Sequence, residues 1–192
     1  FALQETQLGT GHAVDQARAV LGDFDGTVLV LYGDCPLIQT RTLEELIATL
    51  NDSAVSVLGF EAKDPARYGR LITDGDKLKR IVEFKDASPA ERAVTLCNSG
   101  VMTAPAHLLF DLLSEIDTDN ASGELYLTDV VGKAVARGVQ CAAVRCAERE
   151  TLGVNSRVEL IQAEKEFQNL RRAEALEDGV SMPAPETVHF SF

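Results

Sequence analysis

The stretch Gly26-Thr27-Val28-Leu29-Val30-Leu31-Tyr32-Gly33-Asp34-Cys35-Pro36-Leu37 decides how this chain is read. Residues 26–32 form an apolar, β-branched run that ends at a Gly-Asp pair, which predicts a buried strand of a parallel sheet. A carboxylate just past the end of such a strand faces the crevice where α/β sheets bind ligands. Gly33 permits a tight bend or a close ligand, and Pro36 stiffens the exit. Asp34 in that place suits a hard divalent cation on a nucleotide, because Mg2+ takes one or two carboxylates plus phosphate oxygens. The competing reading is a turn aspartate that caps the following helix.

Working outward, residues 40–50 carry Leu43, Leu46, Ile47 and Leu50 at helical spacing, with Thr42 and Glu45 as a capping box. A second apolar run at 54–60 completes a strand-helix-strand succession, as in a βαβ unit. Residues 68–73 and 77–83 read as short strands around Asp74-Gly75-Asp76, a hairpin turn signal. Residues 95–102 read as a strand broken by Gly100. Helices are expected over 106–115 and 125–137, and a strand over 140–145. A long helix over 157–176 follows, with Leu160, Ile161, Phe167 and Leu170 on one side and Gly179 ending it. The first residue is Phe and the last six alternate like a strand that stops, so the chain is read as an internal piece of a longer protein.

The 192 residues carry a formal net charge of −12, with 45% hydrophobic and 25% charged residues. That balance is an ordinary globular one. It disfavours a nonspecific grip on nucleic acid or anionic lipid, both of which need clustered Lys and Arg. No apolar run approaches the roughly 20 residues of a membrane helix. Cys35, Cys97, Cys141 and Cys146 lack the close spacing of a zinc or redox site and read as buried thiols in a reducing cytosol. A cytoplasmic location is expected.

Other spots are weak singly. In Gln7-Leu8-Gly9-Thr10-Gly11-His12-Ala13 the glycines let backbone N–H groups approach an anion, although an ordinary loop-to-helix junction is the better reading of this segment alone and His12 reads as structural. Tyr68-Gly69-Arg70, Ile81-Val82-Glu83-Phe84-Lys85-Asp86 and Cys97-Asn98-Ser99-Gly100 each put polar residues or glycine near a strand end, as a sugar site needs. Each also has a plain structural reading: a hairpin glycine, a surface charge pair, a turn asparagine.

Taken in order, QLGTGHA (7–13), LYGDCPLI (31–38), YGRL (68–71), IVEFKDA (81–87), NSGVM (98–102), GELYLTD (123–129) and GVNSR (153–157) cover nearly the whole chain. Together they resemble the uridyltransferase domain of the bacterial bifunctional N-acetylglucosamine-1-phosphate uridyltransferase/glucosamine-1-phosphate acetyltransferases. The resemblance implies an α/β fold, a Rossmann-like nucleotide-diphospho-sugar transferase sheet with helices on both faces, N-terminally truncated and ending in a long linker helix. It divides the chain into a uridyltransferase domain over 1–155, its end and linker helix over 156–180, and the start of a left-handed β-helix acetyltransferase over 181–192.

The implied activity is uridylyl transfer from UTP to N-acetylglucosamine-1-phosphate, giving UDP-N-acetylglucosamine, an envelope precursor, and pyrophosphate. The resemblance puts Mg2+ on Asp34 and Asn155. It puts the uridine side on Gln4, Gly9 and Thr10, lines the nucleotide-sugar with Tyr32 and Gly33, and puts the sugar on Gly69, Glu83, Asn98 and Asn155. Acetyl-CoA chemistry and a homotrimer through the β-helix belong to the parent protein. The family's Gly-rich loop lies outside these residues, so weak or no turnover is expected of the chain alone. Ser99 and Phe84 depart from the pattern, Phe84 standing where a more polar residue is usual. Two alternatives stay open, another sugar-1-phosphate nucleotidyltransferase and a non-catalytic nucleotide-sugar-binding module.

Overall fold

A computed structural model describes residues 1–75 and 77–191; Asp76, one corner of the expected hairpin turn, and Phe192 lie outside the described residues. The chain divides into two compact units, Phe1–Tyr32 with Thr40–Glu148, and Gly33–Gln39 with Arg149–Phe192. The division is discontinuous in sequence, because the Gly33–Gln39 segment goes with the C-terminal residues.

In the first unit, β1 (Thr27–Val30), β2 (Val55–Glu61), β3 (Arg70–Asp74), β4 (Lys77–Val82), β5 (Leu96–Pro105) and β6 (Cys141–Cys146) form one sheet in the order β1-β5-β2-β6-β4-β3. β2 lies parallel to β6, whereas β5 is antiparallel to both β1 and β2. Val30 and Val57 both face Met102, one from each side. This corrects the reading of residues 26–32 as a strand in parallel pairing. β1 does run in the direction of β2, but β5 is inserted between them. An apolar run carries no record of its partner's direction, so the error was invisible in sequence.

The unit also contains α1 (Thr10–Asp15), α2 (Arg18–Leu21), α3 (Thr40–Ala48), α4 (Pro89–Arg92), α5 (Ala106–Leu113) and α6 (Asp129–Ala136). Alternation along β2 assigns its faces. Val55 and Val57 enter a core with Met102, Leu109, Leu112, Leu127, Val130 and Val131, which brings α5 and α6 onto that face. Ser56 points the other way and accepts a hydrogen bond from Thr49 at 2.6 Å, just past the end of α3. Helices therefore cover both faces. α3 starts at Thr40, so Thr42 is a buried residue of the helix rather than its cap. α6 starts at Asp129, four residues later than expected, because residues 125–127 are held by the chain near Gly9.

In the second unit, α7 (Arg157–Glu177) is capped by Ser156, whose side chain accepts the Glu159 N–H. Its buried residues are Ala163 and Gln168, while Leu160 and Ile161 are exposed, which corrects the expected apolar side. The Gln168 carboxamide pairs with both backbone groups of Phe190, at 2.7 and 2.8 Å, and Arg172 donates to Val188 O at 2.9 Å. Residues 188–191 thus lie along α7 and form no strand. No helix among the described residues is long and apolar enough to cross a membrane.

Candidate functional site

The Gln7-to-Ala13 motif is docked, through its backbone, on residues 125–127. The Gly11 N–H donates to Leu125 O and the Leu125 N–H to Leu8 O, both at 2.8 Å, and Thr10 Oγ1 accepts the Leu127 N–H at 3.0 Å. Gly9 sits at φ 117°, ψ 176°, a conformation essentially confined to glycine. A Cβ there would lie 2.5 Å from Leu125 O. Gln4 Nε2 donates to Gly9 O at 3.2 Å and lies 3.0 Å from His12 Nδ1. Gln4, Gly9 and Thr10, expected on the uridine side, therefore form one cluster whose contacts bind the chain to itself, and His12 belongs to it.

A second cluster in the same unit joins Gly69, Glu83 and Asn98. The Asn98 N–H donates to Gly69 O at 2.9 Å, and Asn98 Oδ1 accepts the Gly100 N–H at 3.0 Å. Gly69 is buried, and a Cβ on it would sit 3.4 Å from each Glu83 carboxylate oxygen. Its missing side chain leaves the carboxylate uncovered on that side. Thr128 donates to Glu83 Oε1 at 3.0 Å. Burial nevertheless raises the Glu83 carboxyl above its ordinary range, against the Thr128 hydrogen bond, with the Asp86 charge adding to the rise.

Asn98-Ser99-Gly100 form a bulge: between Val57↔Met102 and Gly59↔Asn98 the register of β5 shifts. Ser99 Oγ, buried, donates to Leu58 O at 2.7 Å and accepts the Val101 N–H, so this departure from the family pattern serves the bulge. Gly100 at φ 86° lies under Tyr32, and a Cβ would meet that ring at 2.3 Å.

Two cavities border Glu83. One of about 480 Å³ is lined by Arg67, Glu83, Phe84, Lys85, Ser122 and Tyr126. Two aromatic side chains, one carboxylate and two cations suit a polar ring carrying negative charge. The other, about 360 Å³, is lined by Asp86, Asp117, Asp119 and Asp129 along with Glu83, against Arg80 and Lys133. Burial and then Asp117 raise the Asp129 carboxyl, so this cavity already opposes further negative charge.

The remaining expected residues, Gly33, Asp34 and Asn155, all belong to the second unit. Asp34 O accepts the Val154 N–H at 2.8 Å, and Glu150 Oε2 accepts the Gln39 N–H at 3.3 Å, which ties residues 33–39 to 149–155. Glu159 Oε2 accepts the Asn155 N–H at 2.8 Å, so the start of α7 fixes that backbone. The two side chains converge over Gly153: a Cβ on Gly153 would stand 3.6 Å from Asn155 Nδ2 and 3.9 Å from Asp34 Oδ2. Gly33 is exposed, with open space around it. Cys35, beside Asp34, is pushed up to about 11 by burial and then by the Asp34 charge, which keeps it a thiol and no nucleophile near neutral pH.

Two residues with chemical consequence carried no assigned role in sequence. Thr128 lies within GELYLTD and Gly153 within GVNSR, so the motifs contained them, but only coordinates pair Thr128 with Glu83 or open the space beside Asp34.

A family profile described as nucleotidyl transferase matches residues 1–148. The chain is 58% identical over 190 residues to the bifunctional protein GlmU of Ruegeria sp. (strain TM1040), covering 99% of this chain and 42% of that protein. It is likewise 58% identical over 193 residues to the bifunctional protein GlmU of Maricaulis maris (strain MCS10), with 99% and 42% covered. The chain thus spans about two-fifths of the length of these relatives. Among solved structures it is similar to UDP-glucose pyrophosphorylase complexed with UDP-glucose, with TM-score 0.66, 19% identity, and 88% of this chain and 66% of that chain covered. It is also similar to the nucleoside-diphosphate-sugar pyrophosphorylase from Vibrio cholerae RC9, with TM-score 0.59, 14% identity, and 84% and 66% covered. These two likenesses establish the Rossmann-like fold expected from the motifs.

Proposed function

The chain belongs to the nucleotidyl transferase family, and from that premise we propose that it is the uridylyl-transferring part of a bifunctional enzyme. The reaction is transfer from UTP to N-acetylglucosamine-1-phosphate, giving UDP-N-acetylglucosamine and pyrophosphate in the cytoplasm. Acetyl transfer to glucosamine-1-phosphate and assembly as a homotrimer belong to the remainder of such a protein. The observation that carries the reading is the convergence of Asp34 and Asn155, far apart in sequence, over the side-chain-free Gly153.

Asp34 offers a carboxylate oxygen and the Asn155 carboxamide, turned so that Oδ1 takes the place of Nδ2, offers a second, so these residues fit Mg2+, which prefers oxygen. Asp34 and Asn155 would hold the ion together with phosphate oxygens of the nucleotide, since Mg2+ is usually bound by one or two carboxylates plus substrate phosphates. A divalent cation held there supplies neutralisation of phosphate charge. The protein's own part is positioning. Glu83 accepts from a sugar hydroxyl or amide, Asn98 and Gly69 border the ring, and Tyr32 lines the nucleotide-sugar. Gln4, Gly9 and Thr10 hold the uridine side. Attack comes from the sugar-1-phosphate oxygen in line with the leaving pyrophosphate, which requires no protein nucleophile.

The test is turnover of UTP and N-acetylglucosamine-1-phosphate with Mg2+, in a protein of the relatives' full length. D34A is expected to lower kcat by at least about a hundredfold, as loss of a transition-state charge stabiliser does, with the circular dichroism spectrum unchanged. Retained activity in that variant overturns the metal assignment. A preference for glucose-1-phosphate or dTTP in a substrate panel favours a different sugar nucleotidyltransferase. Sugar-nucleotide binding without turnover by the full-length protein favours a non-catalytic module.

A further inference from the structure

Arg70 completes the Tyr68-Gly69-Arg70 motif, yet none of the roles above uses it. It is 2% exposed and is among the largest fully buried side chains of the described residues. A guanidinium removed from water needs a full set of acceptors. Among the described residues these are backbone carbonyls: Nη1 donates to Tyr68 O, Nη2 to Ala66 O at 3.2 Å, and both Nε and Nη2 to Arg92 O at 3.4 Å. Its carbon lies 5.9 Å from the centroid of the Phe84 ring. Arg92 stacks on that ring at 4.5 Å and donates to Phe84 O at 3.2 Å.

Two of these carbonyls belong to the residues that lead into Gly69, and the third to α4. Ala66 holds φ 37°, a left-handed conformation that costs a residue with a side chain. Arg92 ends α4, where terminal carbonyls lack partners within the helix. Tyr68 immediately precedes Gly69. Beyond the motif, Arg70 pairs with Cys97 across the sheet, next to Asn98. One cation thus joins the turn before β3, the end of α4 and the ring that follows Glu83.

We infer that Arg70 is a positioning residue for the sugar subsite: its guanidinium, shared among the carbonyls of Ala66, Tyr68 and Arg92, holds Gly69 in place against Glu83 and Asn98. The inference rests on the reading of that cluster as the sugar subsite. Arginine is required for the task because its planar fork serves acceptors in several directions and still stacks on Phe84. A lysine ammonium offers a point charge without that plane.

The experiment compares this chain with R70K and R70K/A66G by chemical-shift titration with UDP-N-acetylglucosamine and with UDP, and by amide exchange at Asn98. R70K is expected to weaken UDP-N-acetylglucosamine binding about tenfold, part of the roughly hundredfold that a 1 Å misplacement can cost. UDP affinity stays within about twofold, and exchange at Asn98 speeds up by more than the global loss that urea denaturation reports. A66G relieves the left-handed turn and restores part of the lost affinity. Equal loss for both ligands, or unchanged sugar-nucleotide affinity in R70K, overturns the inference. If the unaltered chain does not favour UDP-N-acetylglucosamine over UDP, the sugar reading fails first. Exchange at Asn98 then separates the two failures: acceleration in R70K upholds the hold on Gly69, and its absence removes that as well.

Discussion

Gly9→Ala is the substitution whose cost follows most directly from the coordinates. The new Cβ would lie 2.5 Å from Leu125 O, 2.8 Å from Leu125 N and 3.0 Å from Leu125 C, all backbone atoms that cannot rotate aside. If the segment stayed docked, the positive φ would cost about 1–3 kcal/mol and the overlap about 1–3 kcal/mol more. If it lifted away, three hydrogen bonds would go: Gly11 N–H to Leu125 O, Leu125 N–H to Leu8 O, and Leu127 N–H to Thr10 Oγ1. At roughly 1 kcal/mol net each, lifting costs about 3 kcal/mol. The cheaper route sets the ceiling, so the expected loss is about 2–3 kcal/mol, a large share of the roughly 5–15 kcal/mol typical of a domain.

Urea denaturation measures the total, and amide exchange at Gly11, Leu125 and Leu127 tells which route is taken. Lifting exposes those amides while β2 keeps its relative protection. Staying docked leaves them protected with the same global loss. A loss below about 0.5 kcal/mol, with Leu125 as protected as before, would falsify the docking argument. T10S supplies the control: a serine hydroxyl still accepts the Leu127 N–H, so its stability is expected to stay within about 0.5 kcal/mol of the parent.

Gly100→Ala is expected to cost about 2–4 kcal/mol from its φ of 86° and the 2.3 Å approach to Tyr32. In a Tyr32→Ala background, the part due to overlap vanishes and only the backbone part remains, so a double-mutant cycle by urea denaturation separates them; strictly additive effects would refute the contact. Glu83→Gln is expected to weaken sugar-nucleotide binding while preserving or raising stability at neutral pH. The Glu83 carboxyl is raised above its usual 4.5, so its contribution is fully present below that value and is lost as pH rises through the folded-state value. Urea midpoints across pH should therefore show the parent gaining on the variant as pH falls into the carboxylate range; a gain in the opposite direction refutes the sign.

The elements were legible where period and punctuation agreed. The runs at 54–60 and 140–145 became β2 and β6, and the Asp74-Gly75 signal separates β3 from β4. What failed was decided by partners distant in sequence. β1 received an antiparallel neighbour, β5, that its own apolar run could not specify. Residues 125–128 have helical spacing but stay outside α6, because Leu8, Thr10 and Gly11 claim backbone groups of Leu125 and Leu127 first. On α7, Leu160 and Ile161 share with Phe167 and Leu170 the apolar side that the sequence predicts, yet they are exposed and Gln168 is buried, bound to Phe190. A carboxamide that matches both groups of a peptide is worth burying, and hydropathy cannot register that.

The same physics explains why two motifs of the resemblance occur together. QLGTGHA and GELYLTD lie far apart in sequence, but Gly9 needs the Leu125 backbone close by and Leu127 needs the Thr10 hydroxyl. Thr128, the next residue, then reaches Glu83. One short segment, residues 125–128, therefore connects the residues assigned to the uridine with the carboxylate assigned to the sugar. A substitution in either motif disturbs the other through backbone contacts before any ligand arrives. For Gly9 and Thr10, a fall in nucleotide affinity upon mutation is thus by itself no measure of ligand contact. The measure that separates the roles is affinity set against local amide protection: a ligand contact lowers the first alone, whereas a docking contact lowers both together.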